Sequence, residues 1–213
     1  MKKLVLGLLL TASLHSFAQT TYEKAMNDKI AKIEQVRSAD ELTALSNDFT
    51  RIADKEKTQW LPYYYSAYAT LQRGRAMMQQ GKTADLDAVT DAADAQIAKA
   101  EALSPNNAEL FILKKMSHGL RMMVNPQARF MTEGTAATEA LTNAEKLSPN
   151  NPRITLLKAE DMYFTPPQFG GDKAKGLELF KKSLDQFDSF KPATAMDPNW
   201  GRAEAEYFLA NKP

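Results

Sequence analysis

The sequence predicts an all-α protein built from helical hairpins that repeat along the chain. Three observations support this prediction. Apolar residues recur at spacings of three and four from residue 22 onward, as in amphipathic helices. No run alternates with period two, and no Asn-Gly turn indicates a β-hairpin. One eight-residue string occurs twice, 44 residues apart, with seven of its eight positions identical. Hairpins repeated in this way stack into a solenoid, whereas a helical bundle with one recent duplication is the alternative.

The composition excludes several classes of protein. The chain has 213 residues, which is long enough to bury a core without metals or disulfides. It has no Cys, so disulfide frameworks, iron–sulfur clusters, thiolate zinc sites and cysteine nucleophiles are excluded. Its 27 Lys and Arg face 26 Asp and Glu, whereas a nucleic-acid partner would require a basic excess. We expect no nucleic-acid partner, and a single domain over residues 19–213.

Residues 1–18 have the pattern of a secretory signal peptide. Lys2 and Lys3 precede an eleven-residue, mainly apolar run, and Ser16 and Ala18 place small residues before a cleavage point. The run is too short to span a bilayer, which needs roughly 20 residues. We therefore expect an exported protein, periplasmic or extracellular, with no integral membrane segment after signal removal. No Cys follows the run, so a bacterial lipoprotein anchor is not expected.

Nine helices are predicted, and the first four have clear boundary signals. Ser38 and Glu41 form a capping box that opens the second helix. Pro62 is compatible with the first turn of the third helix, and Gly81 ends that helix. Thr83 is the expected cap of the fourth. The predicted ranges are 22–36, 38–52, 60–78 and 83–103.

Proline and asparagine mark the boundaries of the other five helices. Asn125-Pro126 ends the fifth, and a looser stretch leads to Thr132. The insertion Thr165–Gly171 ends the seventh, and Asp172 caps the eighth. An irregular link around Pro192 precedes the last. The predicted ranges are 107–124, 132–147, 151–164, 172–187 and 199–210.

The repeated string places a turn of the same chemistry before each new hairpin. Ala100–Asn107 matches Ala144–Asn151, and a weaker copy occurs at Asp197–Trp200. Trp60-Leu61-Pro62 lies about 44 residues before the first copy and also opens a helix. Proline cannot continue the preceding helix, and the asparagine after it can cap the next one. Each repeating unit therefore contains two helices.

These residues resemble the tetratricopeptide repeat family. The end of one such repeat is resembled by Ala144, Leu147, Pro149 and Asn151. Ala159 resembles the small residue of the next first helix, and Phe111 lies where the family often has Trp. Gly176, Phe180 and Ser183 fall at the small, aromatic and small positions of the family. The resemblance covers residues 60–211. The strings Trp60–Tyr65 and Pro167–Ala174 are similar to exported tetratricopeptide-like proteins of Gram-negative bacteria.

Two features depart from the family pattern. The period is 44 to 49 residues where the family has about 34. Lys114 and Lys158 occupy a position that is usually apolar. The resemblance implies a concave surface, lined by the first helix of each hairpin, that binds a protein or peptide.

No constellation for covalent chemistry is evident, so we expect no enzyme, no cofactor and no metal site. His118 is the only histidine after residue 18 and has no catalytic partner set around it. Asp87, Asp91 and Asp94 share a helix face, which is more typical of a solvated surface than of a cation site. Gly170-Gly171 follows a helix and lacks a Lys-Ser/Thr sequence after it, so it is not a phosphate loop.

The sequence therefore predicts an exported, non-enzymatic interaction protein. Its partner would be a protein, a peptide or a second copy of the chain. The candidates for a partner groove are Tyr64, Tyr68, Arg121 and Tyr163, and those for a recognition loop are Pro167 and Phe169. Packing between helices is the alternative role for the tyrosines. The alternative function is a periplasmic small-solute-binding component associated with a transporter, which would need an enclosed pocket with convergent polar groups.

Overall fold

The computed structural model describes residues 21–211, and every regular element in that range is helical. The predicted all-α class is confirmed, and each of the nine predicted helices has a counterpart. The predicted signal peptide lies outside the described residues. The helices are α1 (21–33), α2 (Ala39–Glu56), α3 (Trp60–Gln79), α4 (Leu86–Leu103), α5 (Ala108–Met122), α6 (Pro126–Arg129), α7 (Thr135–Leu147), α8 (Pro152–Phe164), α9 (Lys173–Ser189) and α10 (Arg202–Ala210). Within residues 21–211, none of the helices combines the length and apolar content needed to cross a membrane.

Polar side chains cap the helices where the sequence places Ser, Asn and Asp. The Ser38 hydroxyl accepts from the backbone N–H of Glu41 at 3.2 Å. Asn107 accepts from Glu109 N at 2.9 Å, and Asp172 accepts from Lys175 N at 3.1 Å. Each cap satisfies an N–H group that the first helical turn leaves without a partner.

Several helix boundaries differ from the predicted ones, and three of the differences have a clear physical reason. The fourth helix begins at Leu86, because 83–85 form a turn in which Leu86 N bonds to Thr83 O at 3.2 Å. The last helix begins at Arg202, because Gly201 (φ 105°) first turns the chain through the left-handed region. Residues 126–134 are helical, not loose. Asn125 caps the short α6, proline fits its first turn, and a π-helical turn (Phe130–Gly134) continues into α7.

Successive helices pack against each other along the chain. α2 contacts α3, α3 contacts α4, α4 contacts α5, and α5 contacts α7. α8 packs on both α7 and α9, and α10 packs on α9. α3 also contacts α5, so the first helices of successive hairpins are neighbours. This arrangement agrees with stacked hairpins, while the finer assignment to tetratricopeptide repeats stays a prediction.

The two copies of the repeated string have the same local structure. Asn151 accepts from Arg153 N at 3.1 Å, as Asn107 does from Glu109 N. Lys158 bonds to Glu145 at 2.6 Å, and Lys114 bonds to Glu101 at the same distance. The turn therefore recurs after 44 residues, and so does the ion pair that joins the helices on either side of it. This pair accounts for a lysine at a position that is usually apolar in tetratricopeptide repeats.

The chain after α9 returns to the N-terminal helices. We call residues 196–201 the closing segment. Trp200 is buried in it, and its ring stacks on Tyr68 with centroids 4.6 Å apart. Tyr65 donates its hydroxyl to Met196 O at 2.9 Å, and Gly201 N donates to Glu34 Oε1 at 3.0 Å. The closing segment therefore covers the face of α3 and contacts Glu34, the residue that follows α1.

Candidate functional site

Tyr64 and Tyr68, two of the predicted groove residues, lie inside the protein. Their exposed fractions are 0% and 3%. Tyr64 accepts a hydrogen bond from Trp200 Nε1 at 2.7 Å, and burial raises the pKa of both phenols well above the ordinary value. The closing segment covers the surface on which the sequence analysis predicted that a partner would bind. In this structure the two tyrosines have the alternative role, packing between helices.

A buried charge network centred on Glu109 lies beside these tyrosines. Arg153, whose side chain is 1% exposed, donates to Glu109 from Nε at 3.0 Å and from Nη2 at 2.5 Å. Asn151 donates to the same carboxylate at 2.6 Å, and the rings of Phe190 and Trp200 flank the guanidinium. Burial lowers the pKa of Arg153, but Glu109 more than offsets this and holds the pKa above its ordinary value. The network joins α5, α8 and the closing segment, and it serves the fold.

A second polar group joins α3, α8 and α10. Arg75 pairs with Glu204, and its Nη2 lies 3.4 Å from Glu160 Oε1. The Glu160 side chain is only 13% exposed. Burial raises the pKa of Glu160 to about 7. The nearby Arg75 lowers this pKa, and the negative charge of Glu204 raises it further. Glu160 is therefore a carboxyl group whose neutral form is favoured by its burial between α3, α8 and α10.

Arg121, the third groove candidate, is bound to the aspartate stripe of α4. It lies 2.7 Å from Asp94 and 3.0 Å from Asp91, while Arg129 of α6 pairs with Asp87 at 2.5 Å. Each of the three aspartates therefore has an arginine partner, and the two arginines offset most of their charge. Across residues 21–211, no cluster of three or more His, Asp or Glu side chains has the arrangement of a metal site.

His118 and Tyr163 also have partners within the fold. His118 Nδ1 lies 2.7 Å from Glu133 Oε2 in the π-helical turn. Tyr163, the fourth groove candidate, is half-buried beside Phe180 and Phe208, and Lys173 Nζ lies 5.6 Å from its ring centroid. Neither side chain lines the cleft described next.

A cleft of about 490 Å³ opens between α7, α8 and α9. Its volume is within the usual range for small-molecule sites. The predicted loop residue Phe169 lines it, and Pro167 belongs to the same 3₁₀ turn. The lining residues are Thr138, Leu141, Thr142, Glu145, Lys158, Asp161, Met162, Thr165, Phe169, Gly170, Lys175 and Leu179.

The loop that carries Phe169 is held in one shape by backbone contacts. Phe169 N bonds to Pro166 O at 2.9 Å, and Asp172 N bonds to Met162 O at 2.9 Å. A Cβ atom on Gly171 would lie 1.7 Å from the carbonyl oxygen of Thr165, so only glycine fits there. Phe169 is thereby presented at the cleft with 69% of its surface exposed. The two glycines thus let the backbone turn sharply before Asp172 caps α9.

The cleft combines an apolar surface with an uncompensated positive charge. Leu141, Met162, Phe169 and Leu179 supply the apolar part. Lys158 is paired with Glu145, and Asp161 is paired with the buried Lys115, each at 2.6 Å. Lys175 has no ion pair among residues 21–211. Such a surface suits a molecule with an apolar body and an acidic group.

One of three comparisons with known proteins finds a protein that is similar to this chain over most of its length. No protein-family model matches the chain, and no curated protein does. A solved structure does match, that of the HusA haemophore from Porphyromonas gingivalis, with 33% sequence identity and a TM-score of 0.77. The match covers 88% of this chain and 90% of the haemophore. This chain belongs to the HusA haemophore family. The likeness to HusA spans nearly the whole of both chains and is therefore not limited to one helical repeat.

Sequence reasoning missed most of the cleft. Phe169 can be predicted as a loop residue because a Pro-Pro-Gln-Phe-Gly-Gly insertion interrupts the helical pattern. Leu141, Met162 and Leu179 fit the ordinary apolar pattern of their helices, and nothing local shows that they leave a gap. The cleft depends on how α7, α8 and α9 pack together, which the sequence alone does not specify.

Proposed function

We propose that the protein is an exported, non-enzymatic carrier that binds haem, or a closely related porphyrin, in the cleft between α7, α8 and α9. The observation that carries this proposal is the 33% identity to the HusA haemophore over 90% of that chain. Export is supported by the signal-peptide pattern of residues 1–18. The proposal is closer to the small-solute alternative of the sequence analysis than to a protein scaffold.

The chemistry of the cleft supports a porphyrin cargo. A porphyrin is a flat apolar ring with acidic side chains at one edge. Phe169 can stack on the ring in the offset geometry that aromatic pairs prefer. Leu141, Met162 and Leu179 offer apolar contact, and the thioether of Met162 adapts readily to a polarizable surface. Lys175, which has no ion pair among residues 21–211, can supply a counter-charge to the acidic edge.

Titration of the purified protein with haemin tests the proposal. We expect saturable binding with one haemin per chain, followed by the haem absorbance band. Phe169→Ala should weaken binding roughly tenfold, because it removes the exposed ring that stacks on the cargo. Phe164→Ala is the matched control, since Phe164 is 60% exposed but does not line the cleft. Absence of saturable binding, or equal losses in the two variants, would refute the proposed site.

A protein partner is the second candidate function, and an exposed aromatic patch favours it. Phe164 and Tyr207 are 60% and 62% exposed, and both contact Phe208 at the α8–α10 side of the protein. This patch would bind an envelope protein, such as a transporter, in the manner that the tetratricopeptide resemblance implies. In-cell crosslinking followed by mass spectrometry tests it. A reproducible partner that is lost with Phe164→Ala but kept with Phe169→Ala would establish this second function.

A further inference from the structure

Lys175 differs from the other cations around the cleft because its charge is not neutralised. The Lys158 ammonium is held by Glu145 at 2.6 Å. The Lys115 ammonium, nearly buried, is held by Asp161 at 2.6 Å. Lys175 lines the cleft, is exposed, and has no carboxylate partner among residues 21–211.

The repeat shows that the Lys158 pair belongs to the fold. Lys114, 44 residues earlier, makes the same 2.6 Å pair with Glu101, although Lys114 does not line the cleft. The pair therefore forms wherever the repeated turn occurs, whether or not a cleft is present. A ligand that recruited Lys158 would have to displace Glu145. Lys175 needs no such exchange.

From this contrast we infer that Lys175 binds a carboxylate of the cargo, so that the cleft selects porphyrins with free carboxylates over their esters. The inference rests on the proposed function and names the residue that gives it specificity. An ammonium–carboxylate contact is charge-assisted and is stronger than a neutral hydrogen bond. Because the site is open to solvent, the gain is moderate and decreases with salt.

The backbone around Lys175 is held independently of its side chain. Its N–H donates to Asp172, the cap of α9, at 3.1 Å, and the next residue, Gly176, is buried against Tyr163. The side chain can therefore be replaced without loss of the helix start. Lys173 lies at the same helix end, but it lies over the ring of Tyr163 and does not line the cleft. Lys173→Gln is thus a matched control with the same change in net charge.

Binding of haemin and of haemin dimethyl ester to three proteins tests the inference. The wild-type protein should bind haemin roughly three- to tenfold more tightly than the ester at low salt. Lys175→Gln should bind both with the affinity that the wild type has for the ester. Lys173→Gln should keep the wild-type preference. In 1 M salt the wild-type preference should decrease, because the Debye length falls to about 3 Å.

The outcomes separate this inference from the proposed function. If the wild type binds neither ligand, the proposed function itself fails. If it binds both equally, or if Lys175→Gln keeps the preference, haemin binding stands and the role of Lys175 is refuted. Loss of the preference in Lys173→Gln to the same extent would also refute it, since a general charge effect would then explain the result. Equal thermal unfolding midpoints for the three proteins verify that the fold is unchanged.

Discussion

Trp200 donates its indole N–H to the hydroxyl of Tyr64 at 2.7 Å, across 136 residues of sequence. Tyr64 lies in the middle of the aromatic sequence of α3, and Trp200 is in the closing segment. The same indole stacks on Tyr68 with centroids 4.6 Å apart. The closing segment is therefore part of the core, and the tyrosines of α3 depend on it for their burial.

Removing Trp200 should destabilise the protein strongly. Trp200→Ala leaves a cavity against Tyr64 and Tyr68, and we expect a loss of about 3–5 kcal/mol in the free energy of unfolding. Tyr64→Phe leaves the indole N–H without its acceptor and should cost about 1–3 kcal/mol. Urea denaturation followed by circular dichroism measures both. Tyr207→Ala, at a ring that is 62% exposed, is the control, with an expected change of about 0.5 kcal/mol or less. A Trp200→Ala protein as stable as this control would contradict the packing described.

The Glu109–Arg153 pair should show a large coupling energy. Arg153→Met leaves the Glu109 carboxylate buried without its cation, which typically costs about 3–5 kcal/mol. Glu109→Leu with Arg153→Met removes both charges, and we expect the double variant to be more stable than Arg153→Met alone. A double-mutant cycle in urea gives the coupling. Additive losses would mean that the two side chains do not interact as the structure shows.

Glu160 should make stability fall as pH rises toward neutrality. Its pKa is about 7 in the folded protein, chiefly because it is buried, against an ordinary value of 4.5. A raised pKa in the folded state means that proton uptake favours folding. That stabilisation is complete below pH 4.5 and is lost as the pH rises through about 7.

Glu160→Gln removes this titration. We expect the variant to gain stability relative to the wild type between pH 4.5 and pH 8, by up to about 3 kcal/mol. Urea denaturation at a series of pH values measures the difference. Glu139→Gln, on the exposed face of α7, is the control and should give a difference that does not change with pH. A flat difference for Glu160→Gln as well would show that Glu160 is ionised at all these pH values.

Gly171 and Gly119 should respond to alanine in opposite directions. Alanine at Gly171 would place Cβ 1.7 Å from Thr165 O, so the loop must shift and carry Phe169 with it. We expect lower haemin affinity together with a lower unfolding midpoint. Gly119 lies inside α5 with nothing within 4 Å of the added Cβ, so alanine there should stabilise by about 0.5–1 kcal/mol. Thermal unfolding and haemin titration of both variants check this, and unchanged haemin affinity in Gly171→Ala would argue against a fixed loop.

Local signals in the sequence predicted the helices but not how the chain closes. Ser38, Asn107 and Asp172 mark their own helix starts because capping needs only residues a few positions apart. Burial of Tyr64 depends on Trp200, and the two residues are too far apart in the sequence for a local pattern to connect them. The predicted start of the last helix, residue 199, is wrong for the same reason. Trp200 is buried in the core, and Gly201 turns the chain before α10 begins at Arg202. The cleft similarly depends on the distance between α7 and α9.

The long sequence separation between Tyr64 and Trp200 has a consequence for folding during synthesis. A polypeptide that is synthesised from its N-terminus contains α3 well before residue 200 has been added. Until residue 200 has been added, the closing segment cannot cover Tyr64 and Tyr68, so these rings lack part of the burial that they have in the folded protein. Burial of these tyrosines is therefore completed only after the 136 residues between Tyr64 and Trp200 have been spanned, which makes this part of the core a late step of folding during synthesis.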